Sequence, residues 1–217
     1  MAKSIFLLFL LLILTTKMEC HDSFYLVQHW TPSLCNTLSH RRCVGIIEAN
    51  FTIQGLWPKD NNQMGPLTMC SGTPFNYLEI ESLECRLNQN WPDMFSTSSQ
   101  RFWEKEWESH GTCSESTLNQ YEYFRTTLEL KDRYDLVKIL DSSGFHLGGN
   151  YDPTLMALHI YKAIGVWPII GCNKDRENNE QLWEVILCVD ISGTKIISCD
   201  SEIIMNCSEN TGVNFPV

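Results

Sequence analysis

Ten cysteines in a chain of 217 residues, read together with an apolar leader, restrict what this sequence can fold into more than any other feature. The leader passes from a basic Lys3 into an uninterrupted apolar segment, residues 5–14, which is shorter than a bilayer-spanning helix requires and has the layout of a secretory signal. Removal of residues 1–20 is expected, with the cut near Cys20 and His21. Met18 is a poor residue three positions before that cut, so an uncleaved anchor is the alternative. An oxidising destination turns cysteines into cross-links, so the mature chain is expected to be disulfide-stabilised and secreted to the extracellular space, with the vacuole as the other address. Spacing alone does not assign the pairs. No CxxC and no His/Cys cluster of zinc type occurs, and neither metal nor cofactor is expected.

The remaining residues, 21–217, suit a single domain, since 43% hydrophobic and 19% charged residues can build an ordinary core at this length. Residues 24–30 read as a strand, followed by an irregular loop holding Cys35 and Cys43. Residues 51–58 read as a buried strand with Phe51, Ile53 and Gly55 on one face and Thr52, Gln54 and Leu56 on the other. Residues 58–72 are loop by composition. A helix follows Thr73-Pro-Phe-Asn, with Leu78, Ile80 and residues 83–87 as its apolar side. Further helices are expected over 102–113, 121–130 and 134–140, and from the Asp152 cap and Pro153 to about Ile164. Residues 181–190 and 194–200 read as strands joined at Ser192-Gly193. Strands at both ends of a helical middle predict an α+β fold around an antiparallel sheet.

Residues 102–113, FWEKEWESHGTC, concentrate aromatic, charged, imidazole and thiol groups. At 3.6 residues per turn Glu106 and His110 share a face, so the carboxylate is placed to orient the imidazole, while Trp103 and Trp107 form an inward stripe beside them. Taken alone, such a pair more often marks a packed helix with a satisfied histidine than a catalytic one. Upstream stands FTIQGLWP, residues 51–58. Together the two segments resemble the paired active-site motifs of the ribonuclease T2 family, FTIHGLWP and FWxxEWxKHGTC. The resemblance extends through FYLVQHW, NWPDM, GTCSESTLNQYEYF and the C-terminal cysteines, with the plant S-like and S-ribonucleases as the nearest type.

The resemblance implies the T2-type fold and endonucleolytic RNA cleavage, in which the ribose 2′-hydroxyl attacks the adjacent phosphorus and leaves a 2′,3′-cyclic phosphate. It implies the pairs Cys35–Cys43, Cys70–Cys113, Cys172–Cys207 and Cys188–Cys199; Cys20 leaves with the leader, and Cys85 is expected as a buried, inert thiol. Carried over by position, His110 matches the general base, Glu106 the carboxylate supporting the phosphoryl site, and Lys105 a position where many members hold phosphate with histidine. His29, Asp93, Phe95 and Phe102 match positions that shape the base pocket. Stacking on the two phenyl rings is the physical basis, with core packing as the equal alternative.

Two departures bear on the chemistry. Gln54 stands where the resemblance places the acid histidine, and Ser109 where it places lysine. An amide donates a hydrogen bond but cannot surrender a proton, and serine brings no positive charge to the phosphoryl oxygens. Lost or strongly impaired cleavage, with weak binding of RNA or nucleotides, is therefore expected; a slow S-like ribonuclease and a non-enzymatic storage, defence or recognition protein are the alternatives. Removing two lysines and one glutamate with the leader takes the formal charge from −10 to −11. That balance argues against a general nucleic-acid binder and against the basic self-incompatibility type. A monomer, free of the membrane after leader removal, is expected. Asn50 and Asn206 open N-glycosylation sequons. His40, His146 and His159 lack motif context and are expected at the surface or satisfied in the core.

Overall fold

The computed structural model describes residues 21–37, 42–199, 204–208 and 212–217; the leader, Cys20 and His40 lie outside them. In chain order the elements are β1 (Ser23–Trp30), α1 (Thr31–Cys35), β2 (Phe51–Lys59), α2 (Tyr77–Ile80), α3 (Glu84–Asn90), α4 (Gln100–Ser109), α5 (Gln120–Arg133) and α6 (Leu136–Ser142). They continue with β3 (Asn150–Tyr151), α7 (Pro153–Ile164), β4 (Ile169–Lys174), β5 (Glu180–Asp190), β6 (Ile196–Ile197), β7 (Ile204–Met205) and β8 (Val213–Asn214). The class is α+β. Local signals account for much of it: Asp152 accepts from the Thr154 amide and Pro153 opens α7, which stops at Gly165 in the left-handed region.

The main path of the sheet is β2-β1-β5-β4-β7. Its long strands pair antiparallel, but β7 runs parallel to β4 and β8 meets β5 parallel, so the sheet is mixed rather than antiparallel throughout. These parallel partners are two-residue strands, too short for an alternating pattern, and the Cys172–Cys207 bridge ties the segment after β7 to β4. The strand expected over 194–200 shrinks to β6, β4 is additional, and the helix expected after Asn76 is broken by a 3₁₀ turn at Glu81–Leu83. The loop expected after β1 begins instead with α1.

One face of the sheet and the helices enclose a core built around Trp30, Phe51, Trp91, Trp103, Trp107 and Phe124. The other face carries a smaller cluster of Val27, Ile169 and Ile186, against which Trp57 packs. In β2 the simple alternation fails. Val27 pairs with Gly55 and Gln28 with Ile53, which leaves Gln54 as the extra residue of a β-bulge. The side-chain phase slips there, so Leu56 joins Phe51 and Ile53 in the main core, and the expected grouping of Leu56 with Thr52 and Gln54 is corrected.

Among the described residues four disulfides are formed: Cys35–Cys43, Cys70–Cys113, Cys172–Cys207 and Cys188–Cys199. Cys85 is free, and it is exposed rather than buried. Leu83 and Leu87 turn inward, and a position two residues from each lies on the far side of the helix. Asn206 is exposed, whereas Asn50 is half-buried at the head of β2, where Thr31 holds its backbone.

Candidate active site

α4 begins where the carbonyl of the buried Ser99 accepts the amides of Phe102 and Trp103, and its Trp103 and Trp107 drive one side into the core. The helix ends at Ser109. His110 is its cap, with its amide still bonded to the Glu106 carbonyl. Gly111 follows because any side chain there would meet the Trp107 ring at 2.2 Å. A 3₁₀ turn, Gly111–Ser114, then carries Cys113 to its bridge with Cys70. That bridge fastens the loop after β2, in which Met69 donates to the Ser109 carbonyl and Leu67 to the Pro58 carbonyl.

The loop, rather than Glu106, orients the imidazole. His110 Nδ1 lies 2.9 Å from the Leu67 carbonyl oxygen, and since a carbonyl can only accept, Nδ1 carries the hydrogen and Nε2 is the basic nitrogen. The ring stacks on Trp57 with centroids 5.0 Å apart. Burial holds its pKa below the usual histidine value, partly opposed by the Leu67 bond, so the neutral, proton-accepting form prevails at neutral pH. The expected Glu106–His110 orientation is thus corrected, because the helix ends at Ser109, one residue before His110, and the ring turns toward the loop.

Glu106 is 6% exposed. Trp57 Nε1 donates to its Oε2 at 3.0 Å and Gln54 Nε2 to its Oε1 at 3.4 Å. The carboxyl closes on the sheet because residue 55 is glycine: a Cβ there would stand 2.5 Å from Oε2 and 2.1 Å from Trp57 Nε1. Burial raises its pKa to about 7, against the lowering effects of the Trp57 bond, the Lys105 charge and the Gln54 bond. Gln54 is fixed through its backbone, whose carbonyl accepts from Trp91 Nε1.

A cavity of about 310 Å³ opens beside these groups, walled by Gln54, Asp93, Phe95, Phe102, Lys105 and Glu106, together with Thr52, Met94 and Arg101. Six of the residues singled out from sequence therefore share one space. Phe95 and Phe102 are half-buried, and Asp93 caps the Phe95 amide through its Oδ1. His29 is not among the wall residues. It lies across from Thr52 on β1, but its Nε2 is 3.2 Å from Glu184 Oε2 and its ring stacks on Trp183, so it is turned along the sheet to β5. His110 connects to the cavity through Trp57 and Glu106. His146 pairs with Asp141 at the surface and His159 lies edge-on to Phe145. Arg101 was missed in the sequence, although it precedes Lys105 by one turn and the pair could hold a phosphate. Among the described residues no group of three or more His, Cys, Asp or Glu could hold a metal ion, and no helix is long and apolar enough to cross a membrane.

Known proteins are similar to this chain in sequence and fold. The Ribonuclease T2 family model matches residues 21–199. The extracellular ribonuclease LE of Solanum lycopersicum is 38% identical over 230 residues, covering 99% of this chain and 98% of that protein. A variant of ribonuclease MC1, the ribonuclease from the seeds of bitter gourd, solved in complex with 5′-GMP, superposes with a TM-score of 0.81 at 32% identity, over 90% of this chain and 100% of the other. Ribonuclease NT in complex with 5′-AMP gives 0.80 at 30% identity, over 90% and 98%. The motifs, the α+β fold with its four disulfides and these likenesses agree: the chain belongs to the ribonuclease T2 family.

Proposed function

We propose that the mature domain, starting near residue 21, is a secreted member of this family whose cleft still binds nucleotides and whose RNA cleavage is strongly impaired. The observation that carries this reading is the cavity wall, where Gln54 faces Glu106. The aromatic rings of Phe95 and Phe102 and the cations of Lys105 and Arg101 supply stacking and phosphate attraction. His110, neutral with Nε2 as its basic nitrogen, suits the base that takes the 2′ proton. At position 54 an amide stands where the family motif has its acid, and Ser109 leaves the phosphoryl oxygens without the motif's lysine. Both changes act on the transition state and leave the binding surface in place.

Two assays on the purified protein test this. Titration with a pyrimidine or purine 5′-nucleotide should show modest, salt-sensitive binding. RNA incubated with the protein should yield 2′,3′-cyclic phosphate ends slowly, and the yield should vanish in His110→Ala. Turnover matching a Gln54→His variant would establish a working S-like ribonuclease instead; absence of both binding and cleavage in folded protein would favour a storage role.

A further inference from the structure

Glu106 is the group in the cleft that the assigned roles leave underused. A buried carboxyl beside a cationic acid and a lysine would be held ionised by them; here the positions of both are neutral, Gln54 and Ser109. Its oxygens are held unequally, Oε2 firmly by the Trp57 indole at 3.0 Å and Oε1 loosely by the Gln54 amide at 3.4 Å. Oε1 therefore sits one hydrogen bond from the side chain that occupies the acid position, in the wall of the same cavity.

From this juxtaposition we infer that Glu106 has taken over the general-acid step, delivering a proton from Oε1 to the leaving 5′-oxygen. The inference rests on the ribonuclease reading above. In the step, His110 Nε2 removes the 2′-hydroxyl proton, the 2′-oxygen forms its bond to phosphorus, and the bond from phosphorus to the 5′-oxygen breaks. The carboxyl proton goes to that oxygen and Glu106 is left as carboxylate, to be reset by proton exchange with His110 through solvent. Burial prepares the carboxyl for this, since its pKa near 7 leaves it substantially protonated at neutral pH while His110 is neutral. The charged and titratable groups around it act in both directions. Lys105 on α4 favours its ionised form, whereas a bound phosphodiester would favour the protonated one; Arg101 and Asp93 share the cavity wall, and the buried Tyr123 phenol on α5 stays neutral beside it.

The test is a double-mutant cycle on RNA cleavage, with Glu106→Gln made in the natural chain and in Gln54→His. Glu106→Gln should reduce cleavage by about 10²-fold or more in the natural chain, and by less than about 10-fold once a histidine at 54 supplies the proton. Glu106→Asp, which keeps an acid, should retain part of the natural activity and guards against a folding failure in the glutamine variant. The alkaline limb of the natural chain's pH–rate profile, near pH 7, should disappear in Glu106→Gln. A second readout needs no turnover: carboxyl ¹³C titration of the protein with a bound 2′-deoxy dinucleotide should show Glu106 still largely protonated at pH 6.5. Equal losses in both backgrounds, or a Glu106 already ionised at pH 6, would overturn the acid assignment. Natural chain with no cleavage above His110→Ala would overturn it too, while leaving the impaired reading intact. Cleavage as fast as Gln54→His would overturn the impaired reading, with the cycle still deciding what Glu106 does.

Discussion

On the α4 side of the cleft, each reactive group is held by several partners. His110 is bonded to Leu67 and stacked on Trp57, and Glu106 is held by Trp57 and pressed against Gly55. On the β2 side the scaffolding is also present: a bulge lifts residue 54 out of the ladder and Trp91 bonds its carbonyl. Yet the side chain delivered there is an amide. The two sides differ in proton chemistry rather than in construction. Backbone placement and the group it carries are thus separable: the scaffold around residue 54 is complete although the side chain there is an amide.

The strongest way to break this comparison is to place a histidine at position 54. Gln54→His should raise RNA cleavage about 10²–10⁴-fold, equivalent to roughly 3–5 kcal/mol of transition-state stabilisation. Adding Ser109→Lys should raise it further and non-additively, since both act on one transition state, and His110→Ala should abolish the gain. Ready cleavage by both proteins would mean that Gln54 is no handicap, whereas cleavage by neither, with Gln54→His folded, would mean that the β2 side is misbuilt as well.

Removing the Cys70–Cys113 bridge by Cys70→Ala/Cys113→Ala should cost about 2–4 kcal/mol of unfolding free energy in denaturant titration. It should also release the Leu67 carbonyl, which would be seen as exchange broadening of the His110 ring signals. Loss of stability with sharp, unshifted His110 signals would show that the loop is held by other contacts.

Glu106 sharpens the comparison through pH. Its folded-state pKa, about 7, lies above the value of 4.5 for a free glutamate, so the folded protein keeps a proton that the unfolded chain has released. The stability it contributes is therefore full below about pH 4.5 and is lost as pH rises through 7, a change on the order of 3 kcal/mol. Glu106→Gln should be closest to, or above, the natural chain in stability at pH 8 and should lose that advantage at pH 4. Parallel stability curves would show that the carboxyl is ordinarily solvated. The smallest effect concerns binding: Lys105→Ala and Arg101→Ala should each weaken 5′-nucleotide binding by about three- to tenfold and flatten its salt dependence.

Much of this was legible where the signal is local. The Asp152-Pro153 start of α7, the paired runs that became β1 and β2, and the residues that share the cavity all depend on short patterns. The bulge at Gln54 was not, because alternation within β2 cannot show that β1 skips a partner. The Leu67 carbonyl was hidden for a similar reason: any residue has a carbonyl, and only the closure of a loop by Cys70 and Cys113 places this one. His29 was read toward the base pocket, but Glu184 on β5, distant in sequence, draws its ring away. Trp57 stood in plain view within FTIQGLWP, but its link between Glu106 and His110 appears only in the fold, where it donates to the one and stacks on the other.

Single-turnover cleavage of a short RNA at increasing protein concentration, for the natural chain and Gln54→His side by side, tests the central claim most directly, because the plateau reports the chemical step and the half-saturating concentration reports binding. The account predicts a plateau at least about 10²-fold higher for Gln54→His with half-saturation unchanged within about threefold. An equal plateau in the two proteins, or a gain carried by tighter half-saturation, would contradict it.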